Sequence, residues 1–160
     1  MTFEIHRILV PTDFSEPSER ALEVAIELAR RFGARLFLFH AYVAPSYVFP
    51  EGLEPTTPEL VEQLERTMRA ELELRAVRVR TAGVTAEVGT GVGPHDQEIC
   101  RRARELGADL IVMGTHGRTG IRHALLGSVA EKVVRRAPCP VLTVRPDALI
   151  RPRAGPVVVR

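Results

Sequence analysis

The feature that most constrains this chain is a fivefold alternation between short, continuous apolar runs and longer segments whose apolar residues recur at helical spacing. The runs are Arg7-Ile8-Leu9-Val10, the stretch Arg35–Tyr42 with Leu36-Phe37-Leu38-Phe39 inside it, 85–88, Asp109-Leu110-Ile111-Val112-Met113 and Val141–Val144. A strand that alternates apolar and polar residues has one wet face; a run with hardly a polar position is covered on both faces. Between the runs, Leu22, Ala25, Ile26, Ala29 and Phe32 mark a first helix, with Ser15 or Glu16 as cap, Pro17 in its first turn and Gly33 at its end. Leu60, Leu64, Met68, Leu72 and Ala76 recur every four positions in a long amphipathic second helix from Pro58. Ile99, Ala103 and Leu106 define a third between Pro94 and Gly107, and Val129, Val133 and Val134 a fourth over 128–137. Strands that alternate with helices in this way form parallel β-α-β units. The expected fold class is therefore α/β: a single doubly wound, five-stranded parallel sheet with helices on both faces.

Length and composition set the limits. A chain of 160 residues, 45% hydrophobic, builds one core, so residues 1–146 are read as one domain and 147–160, which carries its own prolines, as a C-terminal tail. The segment 43–57 holds Pro45, Pro50 and Pro55 and reads as a loop. The 22 basic and 20 acidic residues are scattered, without the clustered basic face that nucleic acid requires. No apolar stretch approaches the roughly 20 residues that span a bilayer, and the start lacks a signal-peptide pattern; a cytoplasmic protein with neither membrane nor nucleic-acid partner is expected. Cys100 and Cys139 have no metal or redox spacing and read as ordinary buried thiols. Lys132 is the lone lysine and asparagine is absent, a bias that fits a heat-adapted source and equally a GC-rich genome.

Chemistry concentrates where the fourth strand ends. Met113 runs into Gly114-Thr115-His116-Gly117-Arg118-Thr119-Gly120, and nine residues after Gly117 comes Gly127-Ser128 at the start of the last helix. Glycines there leave backbone N–H groups open to a phosphate and permit positive φ, while the helix start offers unpaired amides and a favourable dipole. Ser128 adds a hydroxyl, and Arg118 and Arg122 add charge. The P-loop pattern is excluded because Lys132 lies inside the helix, and the dinucleotide fingerprint because Gly114, Gly117 and Gly120 follow the fourth strand. Gly89, Gly91 and Gly93 read as turn residues closing the third strand. Asp13, just past the first strand, is placed to accept hydrogen bonds from a ligand across the sheet edge, or else to cap the first helix.

Histidines carry less. His6 and His40 read as edge or packing residues, His95 and His123 as exposed, and His116 as a loop residue valued for its amide. A Ser128-His116-Asp13 hydrolytic triad is rejected, since Ser128 opens a helix rather than occupying a strained nucleophile elbow. No histidine pair has the spacing of a helix-borne metal site.

The residues Ile8-Leu9-Val10-Pro11-Thr12-Asp13-Phe14-Ser15, Val112-Met113-Gly114-Thr115-His116-Gly117-Arg118-Thr119-Gly120, Leu126-Gly127-Ser128-Val129-Ala130 and Pro138-Cys139-Pro140-Val141 together resemble the universal stress protein family. The pattern G-x2-G-x9-G-[ST] of that family's ATP-binding branch is met by Gly114, Gly117, Gly127 and Ser128. The resemblance implies strand order 3-2-1-4-5, adenine held by backbone near Ala41 and by Pro11 and Thr12, and ribose at Asp13. It implies phosphates along Met113 to Gly120 and along Gly127, Ser128, Val129 and Ala130, with Mg²⁺ held by the phosphates. It also implies a homodimer through Val141–Val144. The function expected from it is that of an ATP-binding, nucleotide-dependent stress-response or regulatory protein with slow hydrolysis at most. The alternative is an ATP-hydrolysing or group-transferring enzyme in which Asp13 and His116 act on the γ-phosphate.

Overall fold

The computed structural model describes residues 4–43, 47–49, 52–54, 57–115 and 126–146. In chain order the elements are β1 (Arg7–Pro11), α1 (Glu16–Phe32), β2 (Arg35–Tyr42), β3 (Tyr47–Phe49), β4 (Gly52–Glu54), α2 (Pro58–Thr81), β5 (Ala86–Val92), α3 (His95–Leu106), β6 (Leu110–Gly114), α4 (Ser128–Arg136) and β7 (Val141–Val144). The main sheet runs β5-β2-β1-β6-β7, and every pairing in it is parallel. Counted by its five strands alone, this is the order 3-2-1-4-5.

Successive residues of each central strand serve opposite faces, as a period of two demands. Ile8, Val10, Leu36, Leu38, Leu110 and Val112 enter one core layer, with Ala21, Leu22, Ala25 and Ala29 of α1 and Leu72, Ala76 and Val79 of α2. Leu9, Phe39, Ala41, Ile111 and Met113 enter the other, with Ile99, Cys100 and Ala103 of α3 and Ala130 and Val133 of α4. Both layers are closed, which explains why the strands contain almost no polar residue. Asp109 fixes how β1 meets β6: its Oδ2 accepts the amides of His6 and Arg7, each at 2.9 Å.

Several expectations shift in detail. The segment 43–57 contains a short antiparallel pair, with Tyr47 opposite Glu54 and Phe49 opposite Gly52, where a plain loop was expected. Phe32 and Val134 are 51% and 47% exposed, on the outer faces of their helices; the apolar stripe at each helix end overshoots the sheet it packs on. In α2 the fully buried positions are Leu72, Ala76 and Val79, while Leu60, Leu64 and Met68 are half-buried. The third strand runs through Gly89 and Gly91 instead of ending there. A Cβ at Gly91 would lie 2.6 Å from the Phe39 ring and 2.5 Å from Glu98 Oε2, so glycine is present to let a phenylalanine from β2 lie across β5. Cys100 is buried as expected, and Cys139 is half-buried. Among the described residues no helix is long and apolar enough to cross a membrane.

Candidate functional site

The strand order reverses between β1 and β6: the chain winds from β1 outward through β2 to β5, then returns to β6 on the other side and continues to β7. At such a point neighbouring connections leave the sheet in opposite directions and open a crevice beyond the carboxyl ends of the strands. The segments that meet there are Pro11-Thr12-Asp13 after β1, Ala41 near the end of β2, and Gly114-Thr115 after β6. A hydrogen bond adds a fourth: the Gly127 amide donates to the Thr115 carbonyl at 2.7 Å, while the Thr115 amide donates to Val144 at 2.9 Å. The start of α4 is thereby tied to the end of β6. Both halves of the glycine motif lie side by side, although residues 116–125 lie outside the described region, and with them the expectations for His116, Gly117, Arg118, Thr119 and Gly120, and for Arg122 and His123.

Helix α4 begins without a side-chain cap, and its first internal bond is Glu131 N–H to the Gly127 carbonyl, 2.9 Å. The amides of Ser128, Val129 and Ala130 therefore have no carbonyl above them within the helix. Ser128 is exposed, Val129 half-buried and Ala130 buried against the sheet. The arrangement gives the edge a positive dipole end and three donors. The glycines reach this geometry differently from the sequence expectation: Gly127 has φ −72° and ψ 156°, an extended conformation open to any residue, and Gly114 is not among the glycines of positive φ. Gly114 is needed for another reason, because a Cβ there would sit 3.0 Å from the backbone carbon and oxygen of Pro17 in the first turn of α1.

Ala41 is placed by strand parity. In β2, Leu36 and Tyr42 exchange bonds with the β5 side, through Leu36 N–H to Thr85 and Gly93 N–H to Tyr42, whereas Arg35 and Phe39 bond toward β1. The last register pair of β1 with β2 is Pro11 with Phe39. Ala41 is the next residue of the set that faces β1, so its backbone N–H and carbonyl point past the end of that strand and into the crevice. Pro11, Thr12, Met113 and Thr115 are all buried in its floor.

The turn after β1 is closed on itself. Thr12 donates its amide to Phe39 at 2.9 Å, accepts the Phe14 amide on Oγ1 at 3.0 Å and shares a 3.0 Å hydroxyl bond with Ser18, which in turn donates to the Ser15 carbonyl at 2.8 Å. Asp13 accepts the Ser15 amide at 3.1 Å and the Ser15 hydroxyl on Oδ1. The cap of α1 is Ser15, without a side-chain bond to the helix, so Asp13 steadies the turn before the helix rather than capping it, and stands half-buried at the crevice. Phe14 adopts φ 65°, the one positive φ outside glycine among the described residues; for an aromatic residue that costs about 1–2 kcal/mol.

Three residues around this turn escaped sequence reasoning. His40 is more than an edge residue: its Nδ1–H donates to the Thr12 carbonyl at 2.7 Å, and its ring stacks on Phe14 at 4.5 Å and on Tyr42 at 6.4 Å. Arg75 of α2 also lies over Phe14, 4.7 Å from the ring centre. Burial opposes the Arg75 charge, but hydrogen bonds to Glu71 and Glu19 outweigh it and hold the guanidinium above its usual pKa. Tyr42, buried with a hydroxyl that has no hydrogen-bond partner among the described residues, is pushed above the ordinary tyrosine range by burial and by the nearby Glu65 carboxylate. Nothing in a sequence distinguishes Arg75 from the other arginines on the charged side of α2. His95 is exposed, as anticipated, and His6, read as an edge or packing residue, is exposed too; among the described residues no three His, Cys, Asp or Glu side chains assemble as a metal site.

Comparison with known proteins agrees with this geometry. The profile of the Universal stress protein family matches residues 4–145. A universal stress protein of Thermus aquaticus is 38% identical over 140 residues, covering 86% of this chain and 97% of that one. A universal stress protein solved in complex with cAMP superposes with a TM-score of 0.66 at 30% identity, covering 90% of this chain and 99% of the other. One from Archaeoglobus fulgidus in complex with dAMP superposes with a TM-score of 0.62 at 25% identity, covering 89% and 99%. With a family profile spanning nearly the whole chain and relatives alike in both sequence and fold, this chain belongs to the universal stress protein family.

Proposed function

We propose that the chain binds an adenosine nucleotide, ATP foremost, at the carboxyl edge of β1, β2 and β6, and acts as a nucleotide-dependent regulatory protein of the stress response with slow hydrolysis at most. The observation that carries this reading is the 2.7 Å bond from Gly127 to Thr115, which brings the uncapped start of α4 to the point where the strand order reverses. The cAMP and dAMP complexes of related proteins lend it support. In this reading the backbone of Ala41, with Pro11 and Thr12, receives the adenine, and Asp13 accepts hydrogen bonds from ribose hydroxyls. Met113, Gly114, Thr115, Gly127, Ser128, Val129 and Ala130 receive the phosphates, together with His116, Gly117, Arg118, Thr119 and Gly120. A micromolar complex needs about 8 kcal/mol, and three amides bonded to charged phosphate oxygens supply roughly 1.5–3 kcal/mol each. The phosphates therefore dominate affinity. A divalent cation such as Mg²⁺ would be carried by those phosphates, because the protein brings few ligands of its own to this edge.

The same reading includes a homodimer through β7. The two edges of the sheet are treated differently. On β5, Arg80 of α2 donates Nε and Nη2 to the Ala86 carbonyl at 3.2 and 2.9 Å, blunting that edge against a further strand. On β7, the bonds toward β6 use Pro140 and Val144, which leaves the backbone of Val141 and Thr143 directed outward.

The test is direct. Protein purified without added nucleotide is extracted and its ligand identified by mass, and stripped protein is then incubated with ATP and Mg²⁺. The reading expects an adenosine nucleotide and turnover well below the roughly 1 s⁻¹ of ordinary enzymes. Faster turnover would favour the ATP-using enzyme instead.

A further inference from the structure

The turn that presents Asp13 is held in a strained conformation by residues from two other elements. Phe14 has φ 65°, and its ring is held by two contacts, with the His40 ring stacked at 4.5 Å and the Arg75 guanidinium at 4.7 Å. His40 is fixed by its 2.7 Å bond to the Thr12 carbonyl, one residue before Asp13. Arg75 is only 17% exposed; it pairs with Glu19 of α1 and, at 2.8 Å, with Glu71 of α2. Glu19 is also gripped by Arg78 at 2.9 Å. An aromatic residue relaxes out of positive φ unless its surroundings over-determine it. Here the ring is the handle: the bonds of the Phe14 amide to Thr12 and of Ser15 to Asp13 hold the turn locally, and loss of either ring contact leaves the left-handed residue 14 with those alone, so that Asp13, its covalent neighbour, is less firmly oriented.

From these contacts we infer that Arg75 and Phe14 are positioning residues which aim the Asp13 carboxylate at the ribose hydroxyls of the nucleotide, so that the docking of α2 on α1 sets how well ribose is read. The inference rests on the proposed placement of ribose at Asp13. Neither residue touches the ligand in this account. Arg75 acts through a ring face and Phe14 through the backbone, so their loss removes discrimination between ribose and its dideoxy analogue while leaving the phosphate contacts in place.

The experiment is calorimetric titration of wild type, Asp13→Ala, Arg75→Met, Phe14→Leu and Phe14→Tyr with ATP and with 2′,3′-dideoxy-ATP, after thermal melting has established that each variant is folded. A hydrogen bond to a charged group is worth roughly tenfold or more in affinity, so wild type is expected to prefer ATP by about that factor. Asp13→Ala should abolish the preference. Arg75→Met and Phe14→Leu should reduce it toward the Asp13→Ala value with affinity for the dideoxy analogue unchanged, and Phe14→Tyr, which retains the ring face, should restore it. A ratio that stays at the wild-type value in Arg75→Met and Phe14→Leu, or a parallel fall for both ligands, would overturn the positioning role alone. Wild type that binds ATP and its dideoxy analogue equally, or binds neither, would overturn the ribose placement and this inference with it.

Discussion

The Gly127 amide lies 2.7 Å from the Thr115 carbonyl, and this one bond joins the two halves of a motif that are twelve positions apart. Gly127 has φ −72° and ψ 156°, values that proline adopts without strain. Gly127→Pro therefore removes the donor while keeping the backbone path. Its stability cost should be about 1 kcal/mol, that of one hydrogen bond. ATP affinity should fall tenfold or more because the start of α4 loses its tether, whereas adenosine, which lacks phosphates, should bind as before. Titration of both ligands into wild type and variant checks this.

The glycines of β5 and of the helix ends should respond to alanine for different reasons. At Gly91 the added Cβ meets Phe39 at 2.6 Å, and overpacking of that kind costs about 1–3 kcal/mol. At Gly33 there is open space but φ is 67°, so Gly33→Ala should cost about 1 kcal/mol through backbone conformation alone. Urea denaturation should show the larger loss for Gly91→Ala.

Legibility followed the same divide. The five strands of the main sheet and the four helices could be read from the sequence because burial on both faces leaves a continuous apolar run and an amphipathic helix leaves a period, whereas the short β3–β4 pair, lacking either signal, could not. Gly91 could not be read, because a glycine that admits Phe39 looks like one that makes a turn. The motif Gly114 to Ser128 was legible as a candidate anion site, yet the role of Gly114 against Pro17 depends on how α1 crosses β6. Asp13 was visible from its place after β1. The contacts around Phe14 were not, since its partners His40 and Arg75 are 26 and 61 residues away along the chain and reveal themselves only once the sheet and α2 have packed.

Helix α2 provides a test of which face is inside. Leu72 is fully buried and Leu74, two residues on, is 67% exposed. Leu72→Ala should lose about 2–5 kcal/mol of stability, and Leu74→Ala no more than about 0.5 kcal/mol. Chemical denaturation of the two variants separates them.

The thiols set a pH dependence. Burial raises Cys100 and Cys139 above the ordinary 9.0, so the folded protein keeps protons that the unfolded chain has already released. Their contribution to stability is complete below pH 9.0 and is lost as pH climbs through the folded values. Buried, protonated thiols are also poor nucleophiles. Alkylation of the native protein at pH 8 should run at least about tenfold slower than in denaturant, followed by mass spectrometry.

The proposed dimer turns on the outer edge of β7. Thr143 directs its amide away from β6, so Thr143→Pro removes an outward donor without breaking the sheet, a substitution that edge strands tolerate. Sedimentation should show wild type as a dimer and the variant shifted to monomer.

Whether the carboxyl edge of β1, β2 and β6 holds an adenosine nucleotide, as proposed, is decided by titrating ATP into nucleotide-free wild-type protein beside Gly117→Val, a substitution in the proposed phosphate-binding motif. Saturable binding of one ATP per chain is expected for the wild type, with loss of that binding in a variant that melts at the same temperature. Absence of binding by the wild type, or equal affinity in Gly117→Val, would contradict the proposal.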